Sequence, residues 1–250
     1  MVDVTLRSLF ELNLVPRESV RVGIATSTRE QGRAVVGIVS GEAAVGDVVS
    51  LETAIALNAD ADDDDAFVLA PVLAVALEIW RDANLELGET VVVSGTGAFV
   101  EMLAAAARLW TPTCIRLGSP GHGEFPAFTH RLDPGSNRER DELAKLLSHA
   151  PGTVVLDATG TAEVVDCLLE AIPTWGRFVS LGNGGEPVTI DFYRNVHRKG
   201  IGWLGRRVTG SAIYGSGNGG VSDNVMRALG LLRSGLVERP FAAPSLARLD

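Results

Sequence analysis

Two cysteines, four histidines and two tyrosines are all that 250 residues supply of three side chains that often bind metals or pass protons. Cys114 and Cys167 show none of the paired spacings of a zinc knuckle or a disulfide framework, so both are expected to be core thiols. Positive charge is also short. The 22 Lys and Arg residues face 31 Asp and Glu, and the net charge of −9 argues against a nucleic-acid partner, which needs a basic face to neutralise phosphates. No apolar run approaches the roughly 20 residues of a membrane span. The opening MVDVTLRSLFELNLV lacks the basic flank, apolar run and small-residue cleavage site of an export signal, so the expected location is the cytoplasm, away from membranes.

Glycine and apolar residues, by contrast, are plentiful, and they concentrate in one informative stretch. From Val91 to Leu109, VVVSGTGAFVEMLAAAARL, β-branched residues run into Gly-Thr-Gly and then into an alanine-rich apolar segment. The pattern predicts a buried strand, a tight turn and a packed helix. In a GxGxxG turn Gly95 allows the sharp bend and Gly97 the close approach of backbone to a pyrophosphate, which rests on the free amides of the helix N-terminus. Val100 stands where the third glycine would let helix and strand pack closely. It should either push the helix outward or meet a smaller partner opposite it. An ordinary glycine-containing turn between strand and helix remains an equal reading at this point.

Before this stretch, Val20–Ile24 and Ala34–Leu51 are rich in β-formers punctuated by Gly41 and Gly46, which predicts a small antiparallel unit. Asp60 and Asp62 to Asp65 then precede a helix, where acids interact well with the N-terminal dipole. They lack the alternating ligands and the glycine of a calcium loop. Pro71 suits the first position of that helix, predicted over Val72–Asn84. After the glycine turn, strands are predicted at Thr113–Leu117, His130–Leu132, Thr153–Asp157, Arg177–Leu181 and Ile201–Leu204. Helices are predicted from the cap Ser136 to His149, at Ala162–Ala171 and at Asp223–Ser234, followed by a short extended end. The segment GSPGHGEFPAF is too rich in Gly and Pro for a full crossover helix. Strands alternating with helices predict an α/β fold with a doubly wound parallel sheet of six strands.

Taken together, these residues resemble the medium-chain dehydrogenase/reductase superfamily, the zinc-type alcohol dehydrogenases. The likeness runs through LELGETVVVSGTGAF, through VVLDATGTAEVVDCLLEAIPTWGRFVSLGNGG and through MRALGLLRSGLVE, and Glu30–Leu51 is similar to the hairpin of the family's GroES-like domain. The resemblance implies a Rossmann domain over 71–207 and a reduced GroES-like, β-rich substrate domain formed by 1–70 with 208–250. It implies a nicotinamide cofactor held by Gly95, Thr96, Gly97, Ala98 and Phe99, by Gly118, Ser119 and His122, by Asp157, Ala158, Thr159 and Gly160, and by Leu181, Gly182 and Asn183. It also implies a homodimer paired along Ile201–Val208, although Arg206 and Arg207 could instead guard the edge of a monomer.

The departures from the family matter as much as the likeness. Gly32, Arg33 and Ala34 stand where zinc enzymes carry Gly-His-Glu, Ala70 stands near the third ligand position, and no cysteine precedes Cys114. A catalytic zinc needs three protein ligands, so no metal is expected. The second nucleotide-fold strand runs into Gly118 and Ser119 with no acid to bind ribose hydroxyls. That favours NADP(H) over NAD(H), with His122 or Arg116 as the cation for the 2′-phosphate. Thr26, Ser27, Thr28 and Tyr214 are the catalytic candidates, acting on a small-molecule or carrier-bound substrate. The expected activity is zinc-independent hydride transfer to or from a carbonyl/alcohol pair or an activated C=C bond. Non-redox chemistry with a retained cofactor and a silent scaffold subunit are the alternatives.

Overall fold

The structure is a computed structural model and describes residues 2–15, 18–27, 34–38, 48–51, 55–56, 64–118, 127–182, 184–206, 221–239 and 247–248. The chain divides into two compact units. One comprises Met1–Leu14, Glu18–Val75 and Thr209–Asp250, the other Val15–Arg17 and Ala76–Val208.

The first unit carries a six-stranded sheet built from β1 (Val2–Val15), β2 (Glu18–Ser27), β3 (Ala34–Ile38), β4 (Val48–Leu51), β5 (Ile55–Ala56) and β12 (Ala247–Arg248). β3 pairs antiparallel with β2 and β5, and β1 pairs antiparallel with β4 and β12. The antiparallel character agrees with the sequence reading, but the 14-residue β1 was not foreseen. Its sequence, VDVTLRSLFELNLV, mixes helix-forming Leu, Arg and Glu with its β-branched residues, so neither period dominates.

The second unit is organised by a parallel sheet. Its strands are β6 (Thr90–Ser94), β7 (Cys114–Leu117), β8 (His130–Leu132), β9 (Thr153–Asp157), β10 (Arg177–Ser180) and β11 (Gly202–Gly205). They lie in the order β11-β10-β9-β6-β7-β8, every pairing parallel. The two central strands are buried at every position, which is why they read as continuous apolar runs rather than alternating ones. On one face Val92, Ile115, Leu117, Val155 and Phe178 meet Leu143 and Leu147 of α3 (Asn137–Ser148) and Val164, Val165, Leu168 and Leu169 of α4 (Ala162–Ala171). The glycine turn leads into α2 (Ala98–Ala107), where Met102 to Ala107 are all buried. Cys114 and Cys167 are free and buried, as core thiols should be.

α1 spans Asp64–Asp82, so the helix starts two turns earlier than its sequence predicts and Pro71 lies inside it. A proline there forgoes the bond to the carbonyl of residue 67. Burial of every residue from Leu69 to Trp80 compensates, and the Trp80 indole donates to the Leu103 carbonyl at 2.9 Å. Ser136 does occupy the N-cap of α3, but its hydroxyl makes no capping bond. α4 ends on Lys199, whose Nζ donates to the carbonyls of Leu169, Glu170 and Ile172 at 2.7, 2.9 and 2.9 Å. The carbonyls that a helix end leaves unpaired are thereby satisfied by a charge that suits the dipole. A π-helical turn, Tyr193–His197, leads to the edge strand β11, on which half-exposed Trp203 packs 4.5 Å from the Phe178 ring. Arg206, a proposed guard of that edge, instead turns to an ion pair with Asp82 at the end of α1. Arg207 lies outside the described residues. α5 (Val221–Arg233) begins two residues before its predicted start.

Candidate functional site

The strand order reverses between β6 and β9, and a parallel sheet opens a crevice at the carboxyl ends of its strands at such a point. The glycine turn lies there. Gly95 and Gly97 have φ of 107° and 99°, a region that other residues enter at a cost. A Cβ on Gly97 would meet nothing within 4 Å, so the turn faces open space. Gly97 is the N-cap of α2 and no side chain caps the helix, while the first intrahelical bond runs from the Glu101 amide to the Gly97 carbonyl at 3.2 Å. The amides of Ala98, Phe99 and Val100 therefore have no acceptor within the helix, the arrangement that binds an anion.

Val100 packs back against the turn. Its Cγ2 lies 3.4 Å from where a Cβ of Gly95 would stand, an ordinary contact, and the side chain is 1% exposed. Of the two outcomes expected for Val100, the smaller partner is realised, and it is the first glycine of the same turn. Ala104 to Ala107 further along α2 are buried as well.

The loops after β9 and β10 are locked together. Asp157 is fully buried, and its Oδ1 accepts from the Ser94 hydroxyl at 2.6 Å, the Thr159 amide at 2.9 Å and the Thr159 hydroxyl at 2.7 Å. Its Oδ2 accepts from the Gly160 amide at 3.0 Å, and the Ala158 amide donates to the Ser94 hydroxyl at 3.1 Å. The main-chain oxygen of Asp157 also takes the amides of Leu181 and Gly182 at 2.8 and 3.0 Å. The resemblance implies Asp157 as a cofactor ligand, but its carboxylate is fully buried and engaged by four donors of the protein. It joins the ends of β6, β9 and β10 instead. Leu181 and Phe99 are likewise buried, so they contribute backbone rather than side chain to any ligand. Gly160 and Gly182 interlock main chain to main chain. A Cβ on Gly160 would stand 2.5 Å from the Gly184 nitrogen, and one on Gly182 would stand 2.5 Å from the Ala158 carbonyl carbon.

At the end of β7, Arg116 is buried and its Nε donates to the Gly95 carbonyl at 3.2 Å. Its guanidinium carbon lies 5.8 Å from the centroid of the Phe128 ring, within cation–π range. Arg131 is its register partner on β8. Burial lowers the Arg116 pKa and Glu101 opposes that shift. Burial raises the Glu101 carboxyl above the usual range, against the pull of Arg116 and Arg131. The sequence offered Arg116 only as one of two cations. Its bond to the turn, made across 21 positions of chain, has no signature in the residues themselves.

The structure thus gathers Gly95, Thr96, Gly97, Ala98, Phe99, Gly118, Asp157, Ala158, Thr159, Gly160, Leu181 and Gly182 at the carboxyl ends of β6, β7, β9 and β10. Ser119, His122 and Asn183 lie outside the described residues. So do Thr28 and Tyr214. Thr26 and Ser27 close β2 in the other unit, where the structure describes the strand alone. Among the described residues no group of three His, Cys, Asp or Glu side chains could hold a metal ion, and no helix is long and apolar enough to cross a membrane.

No protein-family model and no curated protein matches the chain. Solved structures do. Galactitol-1-phosphate dehydrogenase from Escherichia coli superposes with a TM-score of 0.74 at 13% identity, over 97% of this chain and 84% of that one. Benzyl alcohol dehydrogenase from Acinetobacter calcoaceticus gives 0.71 at 14% identity, over 95% and 83%. A short chain alcohol dehydrogenase from Escherichia coli CFT073, solved in complex with NADH, gives 0.70 at 13% identity, over 95% and 82%. At such identities the likeness is one of fold, which this chain shares with these dehydrogenase structures over nearly its whole length.

Proposed function

We propose that the chain is a zinc-independent oxidoreductase that uses a nicotinamide dinucleotide, with NADP(H) preferred, on a carbonyl/alcohol pair or an activated C=C bond. The observation that carries the reading is the turn after β6, exposed at Thr96 and Gly97 and with no side-chain cap on α2, at the reversal point of the parallel sheet. The residues suit the cofactor. The amides of Ala98, Phe99 and Val100 would hold the pyrophosphate, Gly118 and Ser119 would border the adenosine ribose, and the backbone of Leu181 and Gly182 would border the nicotinamide. When bound, the nicotinamide supplies the site that gives or takes the hydride.

The chain's own tasks are to exclude water and to manage charge at the substrate oxygen. Thr26, Ser27, Thr28 and Tyr214 are the hydroxyls proposed to donate to that oxygen as charge develops on it. Zinc independence rests on the sequence, where Gly32, Arg33 and Ala34 replace the ligand-bearing triplet and no cysteine precedes Cys114. NADP(H) preference rests on the missing carboxylate after β7, where the sequence runs into Gly118 and Ser119. The preference should be about tenfold, or about 1.4 kcal/mol.

Titrating the protein with NADPH and NADH by fluorescence tests the reading. Binding of both with NADPH the tighter is expected, and Ser119→Asp should reverse the order by setting an acid against the phosphate. Binding of neither would leave the scaffold alternative in possession, and NADH bound more tightly would remove the assignment of the loop after β7 to the ribose.

A further inference from the structure

Arg116 is a charged residue inside a parallel strand, at a position where the neighbouring strand supplies valine. β6 and β7 are buried throughout, so a guanidinium there has to be satisfied by something specific. Its Nε is spent on the carbonyl of Gly95. The Gly118 amide, one residue past β7, goes to Leu132 instead, and a Cβ on Gly118 would stand 3.2 Å from that same Gly95 oxygen. The carbonyl of Gly95 is therefore fixed between the arginine and the end of β7.

A trans peptide is planar, and its carbonyl and amide point in opposite directions. Fixing the Gly95 carbonyl toward β7 thus aims the amide of Thr96 away from β7, on the exposed side of the turn. With no Cβ at Gly95 and φ at 107°, this peptide would otherwise rotate more freely than most. We infer that Arg116 is a positioning residue for dinucleotide binding, which sets the Gly95–Thr96 peptide so that the Thr96 amide joins the first amides of α2 around a pyrophosphate. The inference rests on the proposed cofactor, and it assigns Arg116 to the turn rather than to the 2′-phosphate.

Arg116→Lys separates the two roles. The lysine keeps the charge but puts its fourth side-chain carbon where Nε stands, so the bond to Gly95 is lost. ADP-ribose, NADH and NADPH should all weaken by about tenfold, the loss of one charge-assisted hydrogen bond, and the NADPH to NADH ratio should hold to within about twofold. The amide proton resonance of Thr96 should move in the ligand-free variant. Loss confined to NADPH would make Arg116 a phosphate ligand, and unchanged affinities would make it structural only; either overturns the inference. Failure of the unmodified protein to bind any of the three would instead overturn the cofactor itself. Should the lysine variant not fold, Phe128→Leu, which removes the ring beside the guanidinium, should weaken ADP-ribose in the same sense but less, and unchanged binding there would also overturn the inference.

Discussion

Single side chains carry much of what holds the crevice in shape. Asp157 accepts four hydrogen bonds through its carboxylate in a site closed to water. Asp157→Asn would set an amide donor against donors, so urea denaturation should find the protein less stable by about 3 kcal/mol. Val100 fills the space left by Gly95, and Val100→Gly should not tighten nucleotide binding. It should cost about 2–3 kcal/mol through a lost buried side chain and a glycine in the first turn. Retained stability with tighter binding would restore the view that Val100 holds the helix off. Cys114 gives the protein an alkaline limit. Burial pushes its thiol from 9.0 up to about 12. Below pH 9 the folded and unfolded states both keep the proton, and above it the unfolded chain releases its proton first. Stability should therefore fall as pH rises from about 9 to about 12, by up to about 1.4 kcal/mol per unit. Denaturation at pH 8 and pH 10.5 should show this decline shrinking in Cys114→Val, and an unchanged decline would place its origin elsewhere.

Secondary-structure elements were legible wherever one period dominated. β6, β9 and α4 are bounded by glycine, threonine or proline and are apolar enough to fix both type and extent. β1 was missed because its leucines and glutamate fit a helix as well as a strand, and pairing with β4 and β12 decided the matter from outside the segment. Pro71 suits a helix start so well that the sequence places Asp64 and Asp65 before the helix rather than in it, although burial of the helix outweighs the bond the proline forgoes. The glycines of the site were likewise visible as residues. Their interlock at 160 and 182, and the bonds from Ser94 and Arg116, join positions far apart in sequence and leave no local trace. β11 supports a prediction at this scale. It pairs on one side with β10, and Trp203 beside exposed Gly202 and Gly205 gives it a partly apolar edge. With Arg206 drawn to Asp82, the proposed homodimer joins two copies along this strand. Light scattering should report a dimer at micromolar concentration, and Gly205→Pro, at a position whose N–H faces away from β10, should shift it to monomer.

At the scale of the whole molecule, one reading concerns what the protein does without. Elemental analysis of protein purified in the absence of chelator should find less than stoichiometric zinc, since the sequence departs from the zinc enzymes it resembles at every catalytic ligand position compared. Stoichiometric zinc whose removal abolished turnover would defeat this. A different consequence follows from the pairing of Phe10 and Glu11 with Arg248 and Ala247. All six strands of the parallel sheet lie between Thr90 and Gly205, an uninterrupted stretch of chain. The antiparallel sheet draws instead on strands from both extremes of the sequence. Chains are made from one end and fold domain by domain as they emerge. The middle of this one can close around its core while the first strands, already made, still await their last neighbour. The parallel sheet can thus form from one continuous stretch of chain, whereas β1 has no β12 to pair with until residues 247–248 have been made.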